Sequence, residues 1–85
     1  MFYFTYVLQS TVDKNFYAGF TCNLKLRFGQ HQRGFVKATK NRKPFELIYY
    51  EACLDKNDAI KREKYFKSYH GKLFLRKRLK SYLTG

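Results

Sequence analysis

The sequence predicts an α+β fold, in which strands and helices follow one another in the order β-β-α-β-α-α. Two segments rich in aromatic and β-branched residues flank a short polar stretch near the amino terminus, and a third lies mid-chain. Apolar residues recur at helical spacing between and after those segments. Helices would cover one face of the sheet and leave the other polar, so we expect one two-layer domain over residues 1–85.

The three strands are marked by their composition and by the residues that bound them. Residues 2–9 form the first predicted strand and residues 16–21 the second. The polar stretch 10–15 between them is short, so the two strands should pair as an antiparallel hairpin. The third strand is predicted over residues 45–53, immediately after the only proline, Pro44.

The first helix is predicted between the second and third strands. Either Thr21 or Asn23 could accept the hydrogen bond of an amino-terminal cap. The helix should run to about residue 33 and end at Gly34, because glycine favours the left-handed conformation that terminates many helices. A basic loop over residues 35–44 follows.

Two further helices are predicted after the third strand. Asp55 is a suitable amino-terminal cap for the second helix, and Asp58, three residues later, could interact with the first-turn amides. That helix should run to about residue 69, where His70-Gly71 would break it. The last helix is predicted over about residues 72–83, and it would place three apolar side chains on one stripe: Leu75, Leu79 and Tyr82.

Charge and aromatic content point to a polyanionic partner. Eighteen Lys and Arg residues stand against six Asp and Glu, a formal net charge of +12, and nine Phe and eight Tyr supply a dense core. Such an imbalance attracts polyanions, among which nucleic acid is the commonest, and a membrane surface is the competing interpretation. We favour nucleic acid because basic and aromatic residues occur together.

The chain contains no segment typical of a signal peptide or of a membrane span. Cys22 and Cys53 do not have the spacing of metal ligands. Two reduced thiols are a simpler interpretation of them than a disulfide. We therefore expect a cytoplasmic protein with no membrane partner.

Arg27 and His31 are the first candidate functional pair. They lie four residues apart in the predicted first helix, so their side chains project from the same face. They could be surface residues with no further role. Alternatively, the guanidinium could bind a phosphoryl oxygen and the imidazole could assist proton transfer.

Glu63 is the most informative of the six acidic residues. Its helical position beside Ala59, Ile60 and Phe66 puts a carboxylate on the predicted inner face, where an unpaired charge is costly. It could form an i,i+4 pair with Lys67, worth only about 0.2–0.5 kcal/mol, or it could bind a metal ion. The residue pattern leaves both alternatives open.

Tyr6 and Tyr17 lie on the two strands of the predicted hairpin, where most tyrosines serve in packing. Gly19, two residues after Tyr17, is unusual because glycine weakens a strand and often marks the close approach of another group. The combination suggests a functional site, although none of these residues alone distinguishes catalysis from packing.

Taken together, these residues resemble the motifs of the GIY-YIG nuclease superfamily. Two half-motifs and an R-x-x-x-H arrangement match: Phe4-Thr5-Tyr6, Tyr17-Ala18-Gly19, and Arg27 with His31. Glu63 lies in a segment, Asp58–Lys64, that is similar to the D-A-x-x-R-E-K segment of small bacterial members. The resemblance covers essentially the whole chain. It is to small proteins of the UPF0213 kind and to the amino-terminal nuclease domain of a DNA-repair excinuclease.

The resemblance implies three antiparallel strands flanked by helices, and it also implies a role for each site residue. Tyr17 would be the general base that activates water, and Tyr6 would help to position water and phosphate. Arg27 would stabilise charge on the phosphoryl group, and His31 would support the site. Glu63 would hold one divalent metal ion, Mg²⁺ or Mn²⁺, which prefers oxygen ligands and acts as a Lewis acid.

The chain also departs from the family pattern. Phe4-Thr5 replaces Gly-Ile in the first half-motif, Ala18 replaces Ile in the second, and no asparagine follows Asn57, although many active relatives use a late asparagine. Both tyrosines are kept. A phenol with an ordinary pKa of about 10 is a weak base at neutral pH. The general-base role therefore requires that the metal ion and a nearby Lys25, Arg27 or Lys37 favour the phenolate, or that the tyrosine passes its proton on through water.

The leading hypothesis is a metal-dependent endonuclease that acts on DNA in preference to RNA. Six basic residues of the first helix and the following loop would hold its phosphates: Lys25, Arg33, Lys37, Lys40, Arg42 and Lys43. Each could also be an ordinary surface charge. The basic run of the last helix could extend this surface or only solvate the helix.

Two other functions are consistent with the same residues. The chain could be a DNA- or RNA-binding module with little or no catalysis, or it could bind an acidic protein through its positive surface. A single small module buries only about 600–1,000 Å² on DNA, so its specificity would be low. A partner protein or a homodimer would be needed to raise that specificity.

Overall fold

The computed structural model describes all 85 residues and confirms the predicted order of strands and helices, with a short helix added at the end. The strands are β1 (Tyr3–Ser10), β2 (Phe16–Thr21) and β3 (Phe45–Cys53). The helices are α1 (Leu24–Gln32), α2 (Lys56–Lys67), α3 (Tyr69–Arg78) and α4 (Lys80–Thr84). None of these helices combines the length and the apolar character that a bilayer span requires.

The three strands form one antiparallel sheet, as the family resemblance implies, and their order in it is β2-β1-β3. β1 is central and pairs with both neighbours, so that Tyr6 lies opposite Gly19 in β2 and opposite Tyr50 in β3. The register with β3 shifts between Val7 and Leu8. Because β1 lies between the other two strands, β2 is an edge strand, and its outer side has no strand partner.

Helices cover both faces of the sheet, so the expectation of a two-layer domain with one polar sheet face is wrong. The core cluster between the sheet, α2 and α3 consists of Val7, Ala18, Phe66 and Leu75. The cluster on the opposite face consists of Tyr6, Leu8 and Phe45, with Leu24 and Phe28 of α1 packed against it. Four consecutive residues of β1 are buried, because a strand between two helical layers has no solvent-facing side.

The helix caps agree with the sequence prediction and decide between its alternatives for α1. Asn23 is the cap, because its side chain accepts a hydrogen bond from the Leu26 amide, whereas Thr21 accepts one from Asn23 itself. Asp55 caps α2 by accepting a hydrogen bond from a first-turn amide. Gly34 follows α1 with a φ of 77°, a conformation that favours glycine.

The boundary between α2 and α3 lies at Ser68, so the prediction that His70-Gly71 breaks the helix is wrong. Ser68 ends α2 and also caps α3, because its Oγ accepts a hydrogen bond from the Gly71 amide at 3.1 Å. Gly71 lies in the first turn of α3, where a β-carbon would overlap the carbonyl oxygen of Tyr65. The last predicted helix is also divided, at Leu79.

Polar contacts fix the loop 35–44 beside the β1–β2 turn. The side-chain amide of Gln32 pairs with the backbone of Phe45, donating at 2.9 Å and accepting at 2.7 Å. Arg42 forms an ion pair with Asp13 of the turn at 2.9 Å. The basic loop after α1 is therefore attached to the same end of the sheet as the turn that begins β2.

Candidate functional site

Two strand tyrosines and a glycine begin the candidate site. Tyr6 in β1 lies opposite Gly19 in β2, and Tyr17 lies opposite Leu8 on the same face of the sheet, the face that α1 covers. The Tyr6 ring passes so close to Gly19 that a β-carbon there would overlap the hydroxyl oxygen. The missing side chain at Gly19 therefore makes room for Tyr6, of which only 1% is exposed.

His31 connects Tyr6 to the loop after α1. Its Nε2 lies 2.8 Å from the Tyr6 hydroxyl, and its Nδ1 lies 2.8 Å from Oγ1 of the buried Thr39. Thr39 donates to the carbonyl of Val36 at 3.4 Å, so its oxygen is left to accept from Nδ1–H. The arrangement favours the tautomer in which His31 Nε2 accepts the proton of the Tyr6 hydroxyl.

Burial changes the pKa of both groups. It lowers the pKa of His31 from an ordinary 6.5 to about 4, and the positive charge of Arg27 acts in the same direction. It raises the pKa of the Tyr6 hydroxyl, and Arg27 opposes that rise. At neutral pH the pair is therefore an uncharged imidazole and a protonated phenol joined by one hydrogen bond.

Arg27 projects from the same face of α1 as His31. It is half-buried, and it donates a hydrogen bond to Gln30 at 3.1 Å. Its positive charge acts to lower the pKa of both Tyr6 and His31. The hairpin and one helix face thus bring four of the predicted residues together: Tyr6, Tyr17, Arg27 and His31.

Tyr17 differs from Tyr6 in its surroundings. Its ring meets the His31 ring edge-on, with 5.2 Å between centroids. Its hydroxyl makes no hydrogen bond within the protein, and no buried polar side-chain atom lacks a partner, so the hydroxyl is open to solvent. The ammonium of Lys67 lies 5.4 Å from the centre of the ring. Tyr17 is therefore the phenol that water or a substrate oxygen can reach.

Glu63 of α2 joins the site through Lys67. The Lys67 ammonium lies 3.2 Å from Glu63 Oε2 as well as over the Tyr17 ring, so the i,i+4 pair that the sequence allows is formed. The Glu63 side chain is only 17% exposed. Its negative charge also acts to raise the pKa of Tyr6.

The oxygen donors at this site suit a cation that takes most of its ligands from water and substrate. No group of three or more His, Cys, Asp and Glu side chains is placed to enclose a metal ion. A single partly buried carboxylate fits a hard divalent ion that is otherwise bound by phosphate oxygens and water. Glu63 is the residue that would hold such an ion, and Lys67, which pairs with that carboxylate, would compete with the ion for it.

Comparison with known proteins identifies the family. The profile described as the GIY-YIG catalytic domain matches residues 2–78. The chain belongs to the GIY-YIG family. UPF0213 proteins of Limosilactobacillus reuteri and Lacticaseibacillus paracasei are 44% and 42% identical to it over 68 and 66 residues. Each match covers 76% of this chain, and 70% and 73% of the respective relative.

A solved structure agrees with the GIY-YIG assignment. The solution NMR structure of a UPF0213 protein from Bacillus halodurans has a TM-score of 0.55 and 31% sequence identity to this chain. The similarity covers 88% of this chain and 82% of that one. It supports the fold that the motifs imply, with a three-stranded antiparallel sheet flanked by helices.

The six basic residues that were predicted to hold phosphate lie in different surroundings in this GIY-YIG protein. Lys25 and Arg33 line an open cleft along α1. Three are exposed on the loop that follows α1: Lys37, Lys40 and Lys43. Arg42 is half-buried, and its charge is balanced by Asp13. Five of the six therefore carry a positive charge that no ion pair compensates.

Three residues of the GIY-YIG site have roles that the sequence does not predict. Thr39 lies in an irregular loop, where no periodicity assigns it to His31, and Gln30 is the side chain that holds Arg27. Lys67 is the cation that contacts Tyr17, in place of Lys25 or Lys37. The useful signal for Lys67 is its helical spacing, because a residue one turn from Glu63 faces the same side.

Proposed function

We propose that this GIY-YIG protein is a metal-dependent endonuclease that hydrolyses phosphodiester bonds in nucleic acid, with DNA favoured over RNA. The contrast between its two site tyrosines carries the proposal. Tyr6 is buried and its hydroxyl is bound to His31, whereas the Tyr17 hydroxyl is open to solvent beside a positively charged side chain. One phenol is thus fixed in place, and the other is available to a water molecule.

Tyr17 would act as the general base by accepting a proton from the attacking water. Lys67 lies over its ring, where its charge would balance the phenolate as it forms. Tyr6, held by His31, would orient the water or a phosphate oxygen. Arg27 would stabilise the negative charge that develops on the phosphoryl group, a role that suits its permanent charge and planar array of donors.

Glu63 would hold the divalent metal ion, Mg²⁺ or Mn²⁺. When bound, such an ion supplies Lewis-acid stabilisation of the phosphoryl oxygens. When the metal ion is bound, Lys67 would give up its ion pair with Glu63, because the carboxylate cannot bind an ammonium and a metal ion equally well at the same time. The freed ammonium would stay close to Tyr17 and to the substrate.

Basic residues around α1 and its following loop would hold the substrate's phosphates: Lys25, Arg33, Lys37, Lys40, Arg42 and Lys43. The open cleft that Lys25 and Arg33 line along α1, the exposure of Lys37, Lys40 and Lys43, and the net charge of +12 support this assignment. Contacts to phosphate orient nucleic acid but do not read its sequence. We therefore expect low sequence specificity from the isolated chain, with any higher specificity supplied by a partner protein or a second copy.

The test is cleavage of a panel of labelled DNAs and RNAs with Mg²⁺ or Mn²⁺, using wild type and Glu63→Ala. Wild type should cut, and the variant should not, because loss of the metal removes stabilisation of the transition state. Binding of the same nucleic acids should survive, since the basic surface is unchanged. Glu46→Ala is the control, as it removes an exposed carboxylate of β3 that accepts an exposed hydrogen bond from the Tyr82 hydroxyl.

Two results would count against the proposal. Equal loss of cutting and binding in Glu63→Ala would mean that Glu63 supports the structure of the binding surface and has no separate catalytic role. A wild-type protein that never cuts but binds with steep salt dependence would be a nucleic-acid-binding module on the same scaffold. In that case the enzymatic assignment would be abandoned.

A further inference from the structure

Two neighbouring clefts lie along the outer edge of β2. They share no lining residue with the basic cleft of α1. The first lies between β2, α2 and α3, and Tyr17, Phe16, Lys67 and Lys72 are among the residues that line it. The second has a volume of about 360 Å³ and lies at the hairpin turn, where its lining residues are Asp13, Asn15, Phe16, Arg42, Lys72 and Arg76. Phe16 and Lys72 line both clefts, so the two are adjacent, and we describe them together as one groove.

Basic side chains line both clefts of the groove, and the other residues of the first cleft are mainly apolar. Lys72 and Arg76 are exposed, and neither forms an ion pair. They are four residues apart in α3, about 6 Å along the helix axis, so both point to the same side. Arg42 adds a third cation, but Asp13 balances it at 2.9 Å. The uncompensated charge is therefore that of Lys72 and Arg76.

Phe16 forms the aromatic wall of the groove. Its ring is half-buried, and the Arg76 guanidinium lies 5.5 Å from its centre. Proteins that bind single strands combine a positively charged groove, which follows the backbone, with aromatic side chains on which bases stack. β2 is an edge strand, so no further strand covers this side of the sheet.

We propose that this groove, which we call the β2-edge track (Phe16, Lys72 and Arg76), binds a single nucleic-acid strand where it leaves the Tyr17 site. The inference rests on the proposed nuclease function, because Tyr17 and Lys67 line the same cleft as Phe16 and Lys72 of the track. Lys72 and Arg76 contact successive phosphates, and the Phe16 ring contacts a base or sugar. The track is distinct from the cleft of Lys25 and Arg33 along α1.

Other cations of the same region do not face the track. Lys77 and Lys80 are exposed, but they line neither of the two clefts. The guanidinium of Arg78 lies over Tyr49, 5.9 Å from the centre of its ring. The basic run at the end of the chain is therefore divided, with Lys72 and Arg76 turned toward β2 and the others turned elsewhere. Lys77 and Lys80 supply a control of equal charge from the same end of the chain.

The test compares Lys72→Ala/Arg76→Ala with Lys77→Ala/Lys80→Ala. Affinity for a fluorescein-labelled 20-nucleotide single-stranded DNA is measured by fluorescence anisotropy at several salt concentrations, without divalent metal. Each lost phosphate contact on a single strand should reduce the slope of log K against log salt by about 0.7, so the first pair should reduce it by roughly 1.4. The control pair should change it much less.

A second variant guards against a change in folding. Lys72→Ala alone leaves the Arg76 guanidinium over the Phe16 ring, and it should lose about half of the slope that the double variant loses. Circular dichroism of all variants should match wild type, since both side chains are exposed. An unchanged slope in Lys72→Ala/Arg76→Ala, or an equal loss in the control pair, would overturn the track.

The binding experiment on the track and the cleavage experiment on the proposed nuclease can fail independently of each other. If wild type does not cut but the track variants lose salt slope, the binding site stands and the enzymatic proposal fails. If wild type cuts and the track variants bind and cut as it does, the nuclease stands and the track is refuted. A slope loss seen only with a 20-base-pair duplex would overturn the assignment to a single strand.

Discussion

Gly19 and Tyr6 lie directly opposite each other in the β1–β2 ladder, and the Tyr6 ring occupies the space that a β-carbon on Gly19 would need. Such a carbon would overlap the hydroxyl oxygen and stand 2.6 Å from Cζ. The ring cannot easily yield, because it is buried and its hydroxyl is bound to His31 at 2.8 Å. The glycine of the second half-motif is thus required by the tyrosine of the first.

Gly19→Ala should therefore destabilise the protein and displace Tyr6 from His31. Overpacking a buried site typically costs about 1–3 kcal/mol in unfolding free energy, which urea denaturation would measure. Gly29→Ala is the matched control, because a β-carbon there would meet nothing closer than Arg33 Nη2 at 3.6 Å. Gly29 lies inside α1, so this change should stabilise by up to about 1 kcal/mol. Equal losses from both variants would contradict the argument.

Gly71→Ala should be more damaging than Gly19→Ala. A β-carbon at Gly71 would overlap the Tyr65 carbonyl oxygen and stand 2.8 Å from the Cα of Phe66, and both are backbone atoms of α2. α3 could not then pack on the end of α2, and we expect a loss of more than about 3 kcal/mol. Thermal unfolding followed by circular dichroism would measure it. A melting temperature close to wild type would show that the two helices can separate without cost.

The same glycine shows where sequence-based prediction of the fold stops. Strand positions and caps are local properties, and composition and capping residues locate β1, β3 and the start of α2 closely. The role of Gly71 depends on the carbonyl of Tyr65, which another helix brings against it. From the neighbouring sequence alone, a glycine predicts the end of a helix. A close contact between two helices leaves no pattern in the sequence around the glycine. The burial of both sheet faces is likewise a tertiary property.

The site divides in the same way. The spacing of Arg27 and His31 predicts a shared helix face. Glu63 is identified by its inward position, where helical spacing offers only Lys67 as a partner. The contact of His31 with Thr39 is not predictable, because it joins a helix to an irregular loop. Lys67 contacts both Glu63 and Tyr17 because α2 packs beside β2, which spacing along one helix cannot reveal.

His31 should make folding stability depend on pH. Its pKa in the folded protein is about 4, below its ordinary 6.5, so the unfolded chain binds a proton more readily between those values. The stabilisation is complete above about pH 6.5 and is lost as the pH falls toward 4. The depression corresponds to roughly 3 kcal/mol, because each pKa unit represents about 1.4 kcal/mol.

Two measurements test this dependence. An NMR titration should give the His31 imidazole a midpoint near 4, and urea denaturation should show falling stability between pH 6.5 and 4.5. Two carboxylates also have lowered pKa values. A hydrogen bond from Arg42 lowers the pKa of Asp13. Burial acts to raise the pKa of Glu51, but its hydrogen bonds, chiefly from Arg62, outweigh burial and lower it. Their stabilisation is lost only below their ordinary values of 3.8 and 4.5, so the higher window belongs to His31. A His31 midpoint near 6.5 would contradict its burial.

Lys67→Ala should strengthen the binding of Mn²⁺ at Glu63, because it removes the ammonium that pairs with the carboxylate at 3.2 Å. Stability should change little, since a half-exposed i,i+4 pair contributes only about 0.3–0.5 kcal/mol. Isothermal titration calorimetry with Mn²⁺ would compare this variant with the control Lys64→Ala. That change also removes a lysine of α2, one turn from Ile60, but this lysine is exposed and forms no ion pair. Glu63→Gln should abolish the binding. If the two lysine variants bind Mn²⁺ equally well, Lys67 does not compete with the metal, and the ion would have to be held away from the carboxylate oxygen that Lys67 contacts.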